Sequence, residues 1–358
     1  VSKNSKIQWC DHTFNIAWGC SEKFENIDGN ESMDPACRNC YARGFAKRVG
    51  QDVWGADKPR RVFGEKHWAE PLAWNRAAMR YPDQCLKCSA RLCIAAQQQS
   101  GNHVCPSQRD ERGKFDPNVP ACGGEVALNV RPRVFCSSMA DVFEDHPEIA
   151  SQRERLWPLI AATPHLDHLL LTKRPENMIR FAPEAWREAW PANVWAGATV
   201  ATQSMAEIRL PHLLRVPARV RFLSVEPMLS EVSLEEVRCL SGMADSVLGG
   251  ECWGDCACDS VWGYEPGCRR NGGDGTLTKK VHWVICGGES GPKARPMDLE
   301  WARSLRDQCA DARVPFFMKQ LGEAWARESG TWNDDSHGGS PELWPDDLRV
   351  RETPVPHA

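Results

Sequence analysis

Six short apolar runs recur along this chain, and each ends in small, polar or charged residues. They are RVFC (133–136), HLLL (168–171), VWAG (194–197), VRFL (220–223), VHWVIC (281–286) and VPFFM (314–318). β-Branched and aromatic residues dominate them, as in strands. Residues 148–162 and 299–312 carry apolar positions at helical spacing between them. Strands alternating with helices predict a parallel sheet, either doubly wound or closed as a barrel. Residues 13–17 would supply a first strand, feeding into Cys20.

The residues after each run carry the functional signal. They read SSMAD, TKRP, ATV, SVEP, GGESG and KQ. In a parallel barrel the C-terminal strand ends converge on one face, which is where such folds place their chemistry. Lys173, Arg174, Glu226, Glu289 and Lys319 stand at equivalent positions and would line that face. Lys173 and Arg174 are adjacent, so one of them is free to pair with Glu176. The glycines of GGESG let backbone N–H groups approach an anion. The stretch lacks the GK[ST] ending of a phosphate loop and the G-x-G-x-x-G spacing.

Cysteine is the second constraint. Cys20, Cys37 and Cys40 read WGC, sixteen residues, CRNC. Three thiolates leave one corner of an iron–sulfur cube open; with a fourth ligand, Cys10 or His12, they would close a zinc site instead. A second group runs Cys85, Cys88, Cys93, Cys105 and Cys122, with His103 as an alternative ligand. Its C-x-x-C start and polar intervening segment fit a zinc knuckle built on four of the five cysteines. A third group, Cys252, Cys256, Cys258 and Cys268, lies in a Gly-rich stretch and fits zinc or a second cluster. Both groups read as insertions, at about 83–125 and 239–278. Cys136 and Cys286 sit in strand-like runs and read as small buried hydrophobes.

Bulk properties narrow the class. At 358 residues the chain holds one large α/β domain with insertions, or two domains. Seventeen cysteines, an odd count, without a signal-like apolar start, point to a reducing cytoplasmic setting. No stretch approaches the ~20 apolar residues of a membrane span. With 44 basic and 48 acidic residues, phosphate binding is not a whole-chain property and would need a local basic patch.

Taken in order, TFNIAWGC…CRNCYA, RVFCSSMADVF, LLLTKRPENM, NVWAGATV, VRFLSVEPML, VHWVICGGESGPKARPM and VPFFMKQLG resemble the phage-associated three-cysteine-motif proteins, a radical-SAM-like family. The resemblance covers most of residues 6–322. It implies a partial TIM-type (β/α) barrel; the two cysteine-rich insertions, which read as metal-stapled, and the tail, residues 323–358, lie outside the matched motifs, and the Pro- and Asp-rich composition of the tail reads as flexible or draped over the barrel. The resemblance further implies that Cys20, Cys37 and Cys40 ligate a [4Fe–4S] cluster, with Tyr41 packed beside it. S-adenosylmethionine would bind the open iron and yield a 5′-deoxyadenosyl radical. Ser137, Ser138, Gly287, Gly288, Glu289 and Ser290 are candidate contacts to that cofactor. Glu226, Glu289 and Lys173 are candidate catalytic residues, and Lys173, Arg174 and Lys319 suit a nucleotide or nucleic-acid phosphate. The superfamily's usual spacing has three residues between the first two cysteines, where this chain has sixteen. Two other readings stand beside this one. The first is a zinc-dependent hydrolase using the strand-end carboxylates. The second is a zinc-stapled module binding nucleic acid or a partner protein.

Overall fold

The computed structural model describes residues 5–22, 32–80, 129–235 and 280–354 in full, and only the backbone of several short strands outside them. Seven parallel strands form one sheet: β1 (His12–Thr13), β2 (Arg133–Cys136), β3 (Asp167–Thr172), β4 (Val194–Thr199), β5 (Val220–Val225), β6 (Trp283–Gly287) and β7 (Phe316–Gln320). Spatial order equals chain order, and Ser2–Lys3 adds an antiparallel edge beside β1. Helices α1 (Pro35–Arg38), α2 (Tyr41–Arg48) and α3 (Glu70–Arg80) precede β2. After it come α4 (Pro147–Ala161), α5 (Gln203–Arg215), α6 (Leu299–Asp311) and α7 (Glu323–Glu328). Sequential parallel strands need crossovers of one hand, which place the covering helices on one face.

The period of two along each strand divides two apolar layers. Val134, Cys136, Ala196, Ala198, Val284 and Cys286 join the larger core together with Ile149, Leu156, Met205, Leu210, Ala302 and Leu305 of the helices. Phe135, Leu169, Trp195, Phe222, Trp283, Ile285 and Phe317 point the other way, around Trp9. That inner layer shows that the sheet curls. On a flat sheet, β2 and β5 would stand about 14 Å apart. One Trp9 indole nevertheless lies 4.7 Å from the Phe135 ring and 6.3 Å from the Phe222 ring. Arg133 of β2 also reaches within 5.5 Å of the Trp283 ring on β6. The result is a mixed α/β fold built on a seven-stranded half-barrel.

Helix starts follow their caps. Asp298 accepts from Glu300 N at 2.9 Å to open α6, and Thr202 accepts from Met205 N at 3.4 Å to open α5. The six expected strands and both expected helices are present within a few residues of their expected bounds. The first strand differs. Only His12–Thr13 joins the main sheet, while Ala17–Trp18 pairs antiparallel with Arg61–Val62. Asn15 causes the departure: its Oδ1 accepts from Met139 N at 2.7 Å, which turns the chain across the end of β2.

Residues 338–352 run along the outer edge of β7. Met318 N donates to Val350 O and Glu352 N to Phe316 O, both at 2.8 Å, while Trp344 and Leu348 are buried. This segment is draped, and it shields an edge strand whose polar groups would otherwise be open to pairing. The side chains of Cys85, Cys88, Cys93, Cys105 and Cys122, and all of Cys252, Cys256, Cys258 and Cys268, lie outside the described residues. Among the described residues no helix is long and apolar enough to cross a membrane.

Candidate functional site

The C-terminal ends of β2 to β7 form one rim, and the segments bearing Cys20, Cys37 and Cys40 are tied to it at separate points. Cys20 follows Gly19, whose N donates to Met139 O beyond β2 at 2.9 Å. Gly19 has φ +119°, and a Cβ there would meet Val53 O at 2.3 Å. Only glycine fits this approach. Ser21 N donates to Glu144 at 2.7 Å, and Glu144 forms a fully buried 2.8 Å ion pair with Arg60.

Arg174, beyond β3, joins the Cys20 segment to the rim. Its Nη1 donates to Cys20 Sγ at 3.7 Å and to Asp141 Oδ2 at 3.1 Å, and its Nη2 donates to Glu22 O at 2.7 Å. Asp141 also accepts from Thr172 Oγ1 at 2.6 Å and Phe143 N at 3.0 Å. Burial would raise the Asp141 carboxyl, but Arg174 and these hydrogen bonds hold it below the usual carboxylate range. Burial pushes the Cys20 thiol up to about 12, against the pull of Arg174.

Cys37 and Cys40 lie at the end of α1 and at the start of α2. Asp34 caps α1, accepting from Ala36 N at 2.7 Å, and its second oxygen pairs with Arg209 of α5. Arg209 in turn donates to Thr199 O at the end of β4 at 2.6 Å. Cys40 occupies the N-cap of α2 without a side-chain capping bond. Tyr41 O–H donates to Ser138 O at 2.8 Å.

Asn39, between the two cysteines, donates to Glu289 Oε2 at 3.0 Å and to Lys293 O at 2.9 Å. Arg295 also binds Glu289, through N at 2.8 Å, Nε at 2.9 Å and an Nη2 ion pair. Burial would raise Glu289, but the Arg295 and Asn39 contacts outweigh it and hold the carboxyl low. Arg295 Nη2 reaches Pro35 O at 2.9 Å as well. Glu289, one of the candidate catalytic and cofactor residues, is thus placed as an anchor of the CRNC loop.

The three thiols share a neighbourhood. Cys37 lies within electrostatic reach of Cys20. Burial would lower the Lys173 amine, but charge on Cys37, Asp34 and Cys40 raises it on balance. Arg174 thus lies against Cys20, and Lys173 lies within electrostatic reach of Cys37 and Cys40. Among the described residues no three His, Cys, Asp or Glu side chains are drawn together as tightly as a single ion needs. His12 stacks on Trp74 at 4.4 Å on the helix side, and Cys10 joins the inner layer with Sγ 3.5 Å from Ser5 Oγ.

The remaining candidates divide. Glu226 and Lys319 form an ion pair, both side chains 17 % exposed. Gly287 lies between them, where a Cβ would come 3.4 Å from Glu226 Cγ. Ser137 Oγ accepts from Ile16 N at 3.3 Å, and Ser138 Oγ accepts from Asn15 Nδ2 at 3.2 Å. Ser290 Oγ accepts from Gln320 Nε2 at 2.6 Å. Gly288 packs against the next turn, where a Cβ would meet Leu321 O at 2.2 Å. Asp34, Asn39, Asp141, Arg209 and Arg295 complete the site and were not singled out by sequence. The pairs Asp141–Arg174, Asp34–Arg209 and Asn39–Glu289 span 33, 175 and 250 residues, whereas Arg295 lies six residues from Glu289. The one local signal was Asn39 inside C-x-x-C.

Fold and site together define a mixed α/β half-barrel protein whose strand-end rim is tied to the segments bearing Cys20, Cys37 and Cys40. The chain belongs to the family described as Protein of unknown function (DUF5131), whose model matches residues 4–343. No curated protein and no solved structure matches it.

Proposed function

We propose that this protein is a radical-SAM-type iron–sulfur enzyme, with Cys20, Cys37 and Cys40 each holding one iron of a [4Fe–4S] cluster. The carrying observation is Arg174 donating to Cys20 Sγ at 3.7 Å on the half-barrel rim, beside Lys173, which lies within electrostatic reach of Cys37 and Cys40. Three sulfurs on three corners of a cube stand farther apart than three sulfurs on one zinc ion, so a cube asks for a wider spacing of the trio than zinc does. With S-adenosylmethionine on its open iron and one electron from a reductant, such a cluster supplies a 5′-deoxyadenosyl radical that removes a substrate hydrogen.

The chain's own residues do the rest. Arg174 fixes the Cys20 segment against β3 and offsets its negative charge. Asp34, with Arg209, sets α1 against β4, and Glu289, with Arg295, sets the CRNC loop against β6. With both Glu289 oxygens engaged, the contact to the cofactor's methionine moiety falls to Glu226 and Lys319. Their opposite charges match an ammonium and a carboxylate. A nucleotide or nucleic acid is the substrate class we propose, and Lys173 is a cation suited to its phosphate. The zinc-hydrolase reading is less well supported, because Glu226 and Glu289 are both held in ion pairs and neither is placed as a free base.

Iron, acid-labile sulfide and zinc are to be measured in protein purified without oxygen, beside a Cys20→Ala/Cys37→Ala/Cys40→Ala variant. About four irons and four sulfides, lost in the variant with zinc unchanged, are expected. Zinc on the trio without iron overturns the proposal.

A further inference from the structure

Beside the cysteine trio, the surface changes character. Residues 38–66 hold eight basic residues against three acidic ones, in a chain whose formal net charge is −4. Among the described residues, Arg38, Lys47, Arg48 and Lys66 pair with no carboxylate, and all four are exposed. Along α2, Tyr41, Phe45 and Val49 recur every four residues and face solvent, with Tyr41 54 % and Phe45 39 % exposed. A helix docked on a core buries such a face; here Ala42 and Ala46 make the core contact instead.

Aromatic and cationic groups alternate across this surface. Arg48 lies 6.0 Å from the Phe45 ring, and Phe45 meets Trp18 edge-on at 5.7 Å. Arg61 stacks 4.6 Å over Trp18 and lies 5.6 Å from Phe63. Phe63 in turn stacks on His67 at 4.2 Å. The ladder borders the site, since Trp18 precedes Cys20 by two residues and Tyr41 follows Cys40.

We infer that the face built from α2 and the Trp18–Arg61 ribbon binds a single-stranded nucleic acid. Exposed aromatic rings offer stacking faces to unpaired bases, and the unpaired cations track the phosphates. Duplex bases are already stacked and cannot use those rings, so the aromatic content selects the single strand. The local excess of positive charge complements the phosphate backbone, and the acidic remainder of the chain repels it. The inference rests on the proposed function only for the purpose of binding, namely presentation of a base or sugar to the cysteine centre; the binding itself needs no cluster.

The test is fluorescence anisotropy of the full-length protein with a labelled dT12 strand and with a 12-base-pair duplex, across 50 to 300 mM salt. Wild type is expected to bind the single strand at least about tenfold tighter than the duplex. Phe45→Ala is expected to weaken single-strand binding about fivefold or more. Lys47→Glu/Arg48→Glu should lose about tenfold and flatten the slope of log affinity against log salt by about 1.4. Arg180→Glu/Arg187→Glu, an equal charge change in the exposed segment before β4, should leave affinity unchanged. No single-strand binding at 50 mM salt overturns the inference, as does binding indifferent to Phe45 and to both cations. Self-association abolished by Phe45→Ala without strand binding would assign the face to a second copy instead. Iron on the trio with no strand binding rejects this surface alone. Strand binding that follows these variants, in protein that carries no iron even when purified without oxygen, rejects the enzyme reading alone.

Discussion

Asn39 and Glu289 are 250 residues apart in the chain and 3.0 Å apart in the structure. The contact joins the loop between two cysteines to the end of β6, and Arg295 locks it from the other side. Glu289→Gln keeps the shape and removes the charge. A loss of about 2 kcal/mol in denaturant unfolding is expected, moderated by the partial exposure of Arg295. Iron per chain should fall with it, while binding of single-stranded DNA through α2 persists. Unchanged iron and unchanged stability together would show that the loop is held by other means.

Glu226 and Lys319 span β5 and β7 across Gly287. Lys319→Met leaves a carboxylate alone at a half-buried position and is expected to cost about 2 kcal/mol. Adding Glu226→Gln should restore at least about 1 kcal/mol of that loss, a coupling read from the double-mutant cycle. Additive effects of the two changes would mean that the pair contributes nothing beyond its separate side chains.

Gly19→Ala tests the approach that carries Cys20 to the rim. A methyl group 2.3 Å from Val53 O, on a backbone at φ +119°, forces the segment to move. A destabilisation of about 2–4 kcal/mol is expected in thermal or chemical melts. Cluster content should drop even where folded protein is recovered at low temperature.

Asp167, at the start of β3, gives a pH signature away from the site. Burial lifts its pKa to about 6, only partly offset by Arg131 at 3.5 Å. The folded chain therefore holds a proton that the unfolded chain has released between pH 3.8 and 6. Across that window the contribution of Asp167 to stability falls as pH rises. Asp167→Asn removes the ionisable group. Above pH 6 the variant is expected to exceed wild type by up to about 3 kcal/mol, with the excess fading below pH 4. A constant difference from pH 4 to 8 would place the ionisation outside this window.

The strands were legible because runs such as VRFL and VHWVIC have few other uses, and the polar tails marked the rim. What the sequence hid was pairing at a distance. Proximity offers Glu176 to Lys173 or Arg174, yet Arg174 takes Asp141 from the neighbouring strand, 33 residues upstream. Periodicity alone does not reveal that adjacent strand ends share charges. The curl was hidden for the same reason: whether the sheet stays open or bends depends on Trp9 reaching Phe135 and Phe222 together. Asn15 broke the expected 13–17 strand through a side-chain bond to Met139 N, invisible to any propensity. GGESG was legible as a tight backbone approach, but the partner it approaches is Leu321.

The ties from α1 and the CRNC loop to Glu289 and Arg295 also set an order of events during synthesis. Cys20, Cys37 and Cys40 all precede β6 in the chain and leave the ribosome long before it exists. Arg209 can hold Asp34 and α1 once α5 exists, but the contacts of Pro35 with Arg295 and of Asn39 with Glu289 form only after residues near 295 have emerged. The centre is therefore completed late, by the distal part of the chain. A nascent polypeptide halted before Glu289 carries the three thiols without the anchor that assembles them.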